Sequence, residues 1–346
     1  MIVGVCGYGY SGSGAVLDLL KEYDEVYVAD KMEFSFPYKP DGIEDLGRAI
    51  CYNPRRYWSS DSAIRRFKRL LWFQNKKWVY HTKGRSSQLI ETLLSRIIQT
   101  SWNGSTTMHI YQSYGWEYYI KQRFVRRVRS LLEKKLGFVI RRTFWPDKKM
   151  FYSYLSKNIF ESACRDFING FIEAISDNNS SDIIVLDQPY PANDPKSCFW
   201  LFNSPKAIIV NKDPRDIYLL AKKTLGVYGK FIPVDDVESF IIYYRGLMHS
   251  RNISNDDPDI LEINVEDLIY NYCNTKLKIE NFIGIKHSDL LRNPHFDPNI
   301  SINNTQLWML YPQFNKDIYK IEKELADYLF DFGKYNKKPD FNIHPF

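Results

Sequence analysis

The sequence predicts an α/β protein with a parallel sheet of four to five strands flanked by helices, interrupted by a large, mainly helical and basic insertion. Short apolar runs alternate with helical segments, a pattern typical of a parallel sheet covered on both faces. Between residues 40 and 150 this alternation stops, and Trp, Tyr and basic residues dominate. We therefore predict a single α/β domain over residues 1–346 that carries the insertion at 40–150.

The predicted elements follow from apolar runs and from the residues that end them. The first strand, residues 2–6, leads through a glycine-rich turn into a helix that starts near Ala15. Asp213 and Pro214 are typical of a helix N-terminus. The remaining predictions are a strand at 26–29, a helix at 160–175, strands at 183–186 and 207–210, helices from 214 and at 235–250, a strand at 260–264, and helices at 266–283 and 315–332.

Composition narrows the classes of protein. The chain has 346 residues, of which 44% are hydrophobic, and a formal net charge of +6, which does not by itself indicate nucleic acid binding. Its five cysteines include no C-x-x-C pair, which argues against a disulfide framework and a structural zinc site. No apolar run approaches the roughly 18 residues of a membrane span, and no signal peptide is visible, so we expect a cytoplasmic protein.

The turn GYGYSGSG, residues 7–14, is typical of a phosphate-binding loop, because backbone N–H groups and a helix N-terminus converge there. It fits G-x-G-x-x-G, and Asp30 has about the spacing of the acidic residue that holds a ribose in dinucleotide-binding folds. It also has the glycine spacing of the ATP loop, but Ser13 and Gly14 stand where Lys and Ser/Thr belong. A turn that binds nothing is the third alternative.

A second candidate anion site follows the strand at 207–210. The stretch NKDPRD, residues 211–216, presents Lys212 and Arg215 between a strand end and a helix start. Two separate anion sites suit a nucleotide that is phosphorylated at both ends.

Here the chain resembles the PAPS-dependent sulfotransferases, whose donor is 3′-phosphoadenosine 5′-phosphosulfate. Lys212 to Asp216 is similar to their R-D-P-R-D motif, and Tyr10 to Gly14 is similar to their R-S-G-S/T-S/T loop. The segments at 265–268 and 282–284 are similar to their Y-E-D-L and F-L-G motifs. The resemblance covers residues 1–36 and about 180–332. It departs from the family where Tyr10 replaces the basic loop residue, where Lys212 replaces the first Arg of R-D-P-R-D, and where Leu220 replaces the serine eight residues after that Arg.

The resemblance implies a P-loop-type sheet and PAPS as the donor substrate, with no metal requirement. The 5′-phosphosulfate would lie on the turn, and Lys212 would bind the 3′-phosphate with support from Arg215. The turn residues implied in donor binding are Gly9, Tyr10, Ser11, Gly12, Ser13 and Gly14.

Transfer also needs a base that takes the proton of the acceptor hydroxyl. In glycan sulfotransferases of this kind a glutamate just past the second strand often does so, and Glu33 stands there, with Lys31 as a replacement for the loop cation. Asp187, at the end of a predicted strand, is the second candidate, and His81 is the third. The alternative for Glu33 is an ordinary surface carboxylate, for Asp187 a helix or turn cap, and for His81 the structural role that a lone histidine usually has.

The insertion carries clustered basic residues. Residues 121–149 hold eleven Lys or Arg against two acids, and residues 65–78 have a similar basic and aromatic mix. Solvated basic helices, an anionic glycan groove and contact with the inner membrane face all agree with this pattern. We expect a carbohydrate acceptor, either anionic or lipid-linked, and no nucleic acid partner.

Three functions remain open on the sequence. The first is sulfuryl transfer from PAPS to a carbohydrate hydroxyl, on a cell-surface polysaccharide or a lipid-linked glycan. The second is an NAD(P)-dependent oxidoreductase, which leaves the motifs at 211–216 and 265–268 unexplained. The third is a non-catalytic nucleotide- or glycan-binding protein that retains the sulfotransferase fold.

Overall fold

The computed structural model describes residues 1–52, 59–104, 115–137, 147–176, 181–223, 230–254, 256–285 and 295–340. The chain forms two compact units. We call Met1–Ser35 with Asn178–Phe346 the sheet unit, and Phe36–Asp177 the insertion unit. The insertion unit extends beyond residues 40–150 on both sides.

The sheet unit contains a five-stranded, fully parallel sheet. Its strands are β1 (Ile2–Gly7), β2 (Val26–Ala29), β5 (Ile183–Asp187), β6 (Pro205–Asn211) and β7 (Ile260–Asn264), in the spatial order β2-β5-β1-β6-β7. The predicted class, a parallel sheet of four to five strands flanked by helices, is confirmed. Because β1 is central and its neighbours are β5 and β6, the segments that follow these three strands meet at one edge.

Apolar residues alternate between the two faces of the sheet and pack under helices. One face carries Val3, Val5 and Val185 against α1 (Ser13–Leu20), α10 (Val265–Tyr270) and α11 (Tyr272–Ile283). A second apolar cluster joins α8 (Pro214–Lys223), α9 (Val237–His249) and α13 (Asn315–Glu324). Two short helices complete the unit, α7 (Lys196–Phe199) and α12 (Pro298–Ser301).

Two predicted helices in the C-terminal half are wrong in extent. The helix expected at 266–283 is divided at Asn271, which has a non-helical backbone. The helix expected at 315–332 ends at Glu324, and short 3-10 turns follow it. The apolar spacing in the sequence continues past Glu324 because Phe330 and Phe332 also pack against the protein. They contact Tyr270 from an irregular segment and not from a helix.

The insertion unit is mainly helical, as predicted, but it also contains an antiparallel strand pair that the sequence did not reveal, β3 (Thr100–Gly104) with β4 (Lys148–Tyr152). Its longer helices are α3 (Ser59–His81), α4 (Arg85–Ile97), α5 (Trp116–Leu136) and α6 (Lys157–Ile175), and α2 (Ile43–Gly47) precedes a π-helical turn, Arg48–Tyr52. The core is an aromatic cluster of Phe36, Phe67, Trp78, Phe167 and Phe171. Within the described part of the chain, no helix is long and apolar enough to cross a membrane.

Candidate functional site

The glycine-rich turn lies between β1 and α1, as the sequence predicted. Gly12 precedes α1 with φ of 81°, a left-handed backbone that glycine adopts without a steric penalty. Gly7 has no room for a side chain, because an added Cβ would lie 2.0 Å from the Ser11 hydroxyl oxygen. These two glycines therefore let the turn close around the buried Ser11.

The turn presents unused hydrogen-bond donors. Within the described residues, the N–H groups of Gly9, Gly12, Ser13 and Gly14 have no acceptor. The Ser11 side chain is 1% exposed, and its hydroxyl has no hydrogen-bond partner among those residues either. Free N–H groups at a helix N-terminus, together with a buried hydroxyl, are suited to binding the oxygens of a phosphate or sulfate.

Tyr10 lies in the glycine-rich turn, at the position where the resemblance implies a basic residue. It has φ of 64°, and its ring stacks on Phe231 with centroids 5.6 Å apart. An aromatic ring packed in this way gives the turn an apolar wall, and it supplies no positive charge.

Gln188 fixes the turn to the neighbouring strand, and sequence reasoning missed it. Its side-chain oxygen accepts the Gly7 N–H at 3.1 Å, and its amide nitrogen donates to the Ser13 hydroxyl at 3.2 Å. Gln188 has φ of 54°, which turns its side chain back toward the loop directly after β5. A polar residue following a strand was the available signal, but nothing in the sequence indicates the left-handed backbone.

A cavity of about 390 Å³ lies at the carboxyl ends of β6 and β7. This is the edge at which open α/β sheets bind ligands. Its lining includes three positive side chains, those of Lys212, Arg251 and Lys334, and four acidic ones, those of Asp213, Asp267, Asp327 and Asp331. The lining also includes Asn211, Tyr244 and Tyr335.

Lys212 lines this cavity although it is only 6% exposed. Its ammonium group donates to the backbone carbonyl of Asn304 at 2.9 Å. An ammonium has three N–H donors, and in the described chain this is the one bond that Lys212 makes. Lys212 therefore keeps donors for an anion in the cavity.

Two buried carboxyl groups surround Lys212. Burial raises the pKa of Glu266 to about 8, and the charge of Lys212 opposes that rise. Burial also raises the pKa of Asp216, which accepts the N–H groups of Gln306 and Leu307 at 3.0 and 2.8 Å. Glu266 has fewer hydrogen bonds than Asp216, since one of its oxygens accepts the Asp213 N–H and the other has no partner in the described residues.

Arg215 is committed to the protein itself. Its guanidinium forms two hydrogen bonds with Asp213, at 2.9 and 2.7 Å, and one with Glu322 at 2.8 Å. It also lies 3.9 Å from the ring centroid of Trp308. These contacts hold the C-terminal segment against α8, and Arg215 does not line the cavity.

Several buried polar atoms around the turn and the cavity have no hydrogen-bond partner in the described part of the chain. They belong to Tyr8, Ser11, Asn211, Arg251, Glu266 and Asn304. An unsatisfied buried polar atom costs about 1–3 kcal/mol, so a folded protein rarely concentrates them at one place without a ligand. These atoms make the carboxyl edge of β1, β6 and β7 the candidate site, and the sequence did not reveal that they lack partners.

The structure brings two base candidates together. Asp187 ends β5 opposite Val5 of β1, and its carbonyl oxygen accepts the Phe34 N–H at 2.6 Å. Burial raises the pKa of Asp187 to about 6, and the charges of Glu33 and Asp30 add to the rise. Glu33 and Lys31 are exposed. Asp187 is partly buried, and its pairing with Val5 places it two residues before the turn in the strand register.

The acidic residue expected to bind a ribose is already paired. Asp30 forms a 2.6 Å ion pair with Lys21 of α1. This pairing weakens the dinucleotide interpretation, because that interpretation depends on a free carboxylate after β2.

The other predicted residues lie in the insertion unit. His81 ends α3, where its ring meets the ring of Tyr80 edge to face at 5.3 Å. Of the basic segment 121–149, residues 121–136 belong to α5, and residues 138–146 lie outside the described residues. Among the described residues, no group of three or more His, Cys, Asp and Glu side chains is arranged to hold a metal ion.

A scan against protein-family models found no family that matches the chain, and a search of curated proteins found no significant match. The site is therefore interpreted from its own geometry.

Proposed function

We propose that the chain is a sulfotransferase that moves a sulfuryl group from PAPS to a hydroxyl of a carbohydrate acceptor. One observation carries the proposal. The sheet places two anion-binding groups after neighbouring strands, because Gly7 of β1 pairs with Val210 of β6. One is the turn after β1 with its free N–H groups, and the other is the Lys212 ammonium after β6. A nucleotide with phosphate groups at both ends matches two anion sites at one sheet edge.

Sulfuryl transfer requires that the protein position the two substrates and stabilise negative charge. The acceptor hydroxyl gives its proton to Asp187, its oxygen forms a bond to sulfur, and the bond from sulfur to the 5′-phosphate oxygen breaks, leaving adenosine 3′,5′-bisphosphate and a sulfate ester. The free N–H groups of Gly12, Ser13 and Gly14 would stabilise charge on the transferring group and the leaving phosphate. This role needs neither the lysine nor the metal hydroxyl that an ATP loop supplies.

The donor would extend from the turn into the cavity beside Lys212. Tyr244 and Tyr335 in its lining would contact an adenine or ribose. Lys212 would bind the 3′-phosphate, and Arg215 would support it indirectly by holding Asp213 in place. We propose a cytoplasmic location, with peripheral attachment at the inner membrane face.

A non-catalytic nucleotide-binding protein is the second candidate, and Tyr10 favours it, because its stacked ring stands where the family has a cation. Incubation with ³⁵S-labelled PAPS and a panel of polysaccharide and lipid-linked glycan acceptors separates the two. Transfer of label to a glycan supports the enzyme. Tight binding of adenosine 3′,5′-bisphosphate without transfer to any acceptor would leave the binding protein.

Asp187→Asn is expected to lower transfer by about 10²–10⁴-fold, because Asp187 acts as the base in this proposal. The rate of the wild-type protein should rise as pH increases through about 6, where Asp187 loses its proton. The residual rate of the variant should not show this rise.

The same variant is expected to be more stable than wild type at neutral pH. The pKa of Asp187 is raised in the folded state from 3.8 to about 6, so ionised Asp187 is disfavoured there and folding stability falls as pH rises through this window. Asparagine at position 187 cannot ionise, so it should raise the free energy of unfolding above pH 6. Below about pH 4, where Asp187 is protonated in both states, the substitution should change the free energy of unfolding little. If Glu33→Gln abolishes transfer while Asp187→Asn keeps it, the base is Glu33 and this assignment is wrong.

A further inference from the structure

The helix α5 displays an apolar stripe on its solvent side. Trp116, Ile120, Phe124 and Leu131 are 71%, 62%, 69% and 63% exposed. Their spacing of four, four and seven residues puts them on one side of a helix. Val128 and Leu132 extend the stripe and are also exposed. The stripe therefore runs along most of the helix, with the exposed Arg127 between Phe124 and Leu131.

The opposite side of α5 faces the protein. Gln122 is buried, and Tyr119, Val125, Arg129 and Glu133 are partly buried at the spacing of one helical face. Arg129 and Glu133 form an ion pair at 2.9 Å on this side. A helix in a globular protein normally turns its apolar side toward the core. In α5 the side that packs on the protein is mostly polar and the apolar stripe is exposed, so folding alone does not explain the stripe.

Basic residues border the stripe. The helix carries seven Lys or Arg and two Glu. Lys121, Arg123, Arg127 and Lys134 are exposed beside the apolar side chains. An apolar stripe bordered by Lys and Arg, with Trp and Phe in it, is the pattern of helices that lie in the interface of an anionic membrane. The long basic side chains can reach lipid headgroups while their stems stay near the acyl boundary.

We propose that α5 binds the surface of a bilayer containing anionic lipid, with its axis in the membrane plane. Trp116, Ile120, Phe124 and Leu131 would insert below the headgroups. The 21 residues of α5 would cover about 30 Å of surface. This inference rests on α5 alone and is independent of the chemistry at the glycine-rich turn.

The experiment is sedimentation of the full chain with vesicles of equimolar phosphatidylcholine and phosphatidylglycerol, and with vesicles of phosphatidylcholine alone. Binding to the mixed vesicles should be much stronger and should weaken with salt, because the Debye length falls from about 10 Å at 0.1 M to about 3 Å at 1 M. Replacing Lys121, Arg127 and Lys134 with glutamine should weaken binding to the mixed vesicles about 100-fold, because each positive charge contributes roughly fivefold.

Apolar insertion needs its own variant and a matched control. Replacing Trp116, Ile120 and Phe124 with serine should abolish binding to both kinds of vesicle, and it should not affect folding because all three side chains are exposed. Ile242 and Tyr319, 71% and 70% exposed on the sheet unit, supply the control, and their serine variants should bind like wild type. The blue shift of tryptophan emission on binding should shrink in Trp116→Phe.

Three results would overturn the proposal. One is wild-type protein that does not sediment with the mixed vesicles. Another is binding that survives the apolar variant but is lost with the charge variant, which would identify a site for a soluble polyanion such as an acidic polysaccharide. The third is a wild-type dimer that the apolar variant converts to a monomer while neither binds vesicles, which would assign the stripe to a second copy of the chain.

Discussion

Asp216→Ala is expected to cost the sheet unit about 3–5 kcal/mol of folding stability. The side chain is fully buried and accepts two backbone N–H groups, those of Gln306 and Leu307, which lie about ninety residues further along the chain. Alanine leaves both donors buried without an acceptor, and it leaves Lys212 with one fewer carboxylate nearby.

Urea unfolding of the full chain measures the loss of stability, and hydrogen exchange shows which backbone amides lose protection. The amides of Gln306 and Leu307 should exchange slowly in wild type and fast in the variant. Asp216→Asn should lie between the two, because its amide keeps one acceptor oxygen. Glu322→Gln removes the charge of an exposed partner of Arg215 and should cost less than about 1 kcal/mol. Equal midpoints for wild type and Asp216→Ala would contradict the structural role.

The second large effect concerns the 3′-phosphate site. Lys212→Ala alone would leave Asp216 and Glu266 buried without their cation, so lost binding could reflect lost folding. The double variant Lys212→Met with Glu266→Gln removes the cation and a carboxyl group that burial already keeps protonated near neutral pH. Because Asp216 still loses its neighbouring cation, the urea midpoint of the double variant is measured first to establish that the fold is retained.

We expect this double variant to weaken adenosine 3′,5′-bisphosphate by about 100-fold, the typical value of a charge-assisted hydrogen bond to phosphate. Adenosine 5′-phosphate should bind with nearly unchanged affinity, because it has no 3′-phosphate. Lys206→Met is the matched control, since Lys206 lies at the other end of β6 and also donates to a backbone carbonyl, that of Phe282 at 2.6 Å. Equal weakening of both nucleotides in the double variant would contradict the assignment.

The sheet and the turn could be predicted because their signals are local. The buried strands are short apolar runs, and Gly7 and Gly12 stand where the turn needs a close approach and a left-handed backbone. The last helix was overestimated because Phe330 and Phe332 keep an apolar spacing while the chain leaves the helix. The Phe330 N–H reaches the Asp213 carboxylate at 3.0 Å, a contact across 117 residues that sequence periodicity does not reveal.

The candidate site was predictable in part for the same reason. Lys212 was identified from its place after a strand, and the structure adds that it lines a cavity. Arg215, in the same motif, is bound to Asp213 and Glu322, and only the fold decides between such neighbours. Gln188 and the unsatisfied atoms of Tyr8 and Arg251 depend on how distant segments meet, so no local pattern announces them.

The central claim is that the turn and the cavity bind one nucleotide through phosphates at both ends, without metal. Isothermal titration of the full chain with adenosine 3′,5′-bisphosphate in EDTA tests it most directly, with adenosine 5′-phosphate, NAD and ATP titrated in parallel. The account predicts that the bisphosphate binds most tightly and that Mg²⁺ changes nothing. Tighter binding of NAD, or binding of ATP that appears only when Mg²⁺ is added, would contradict it.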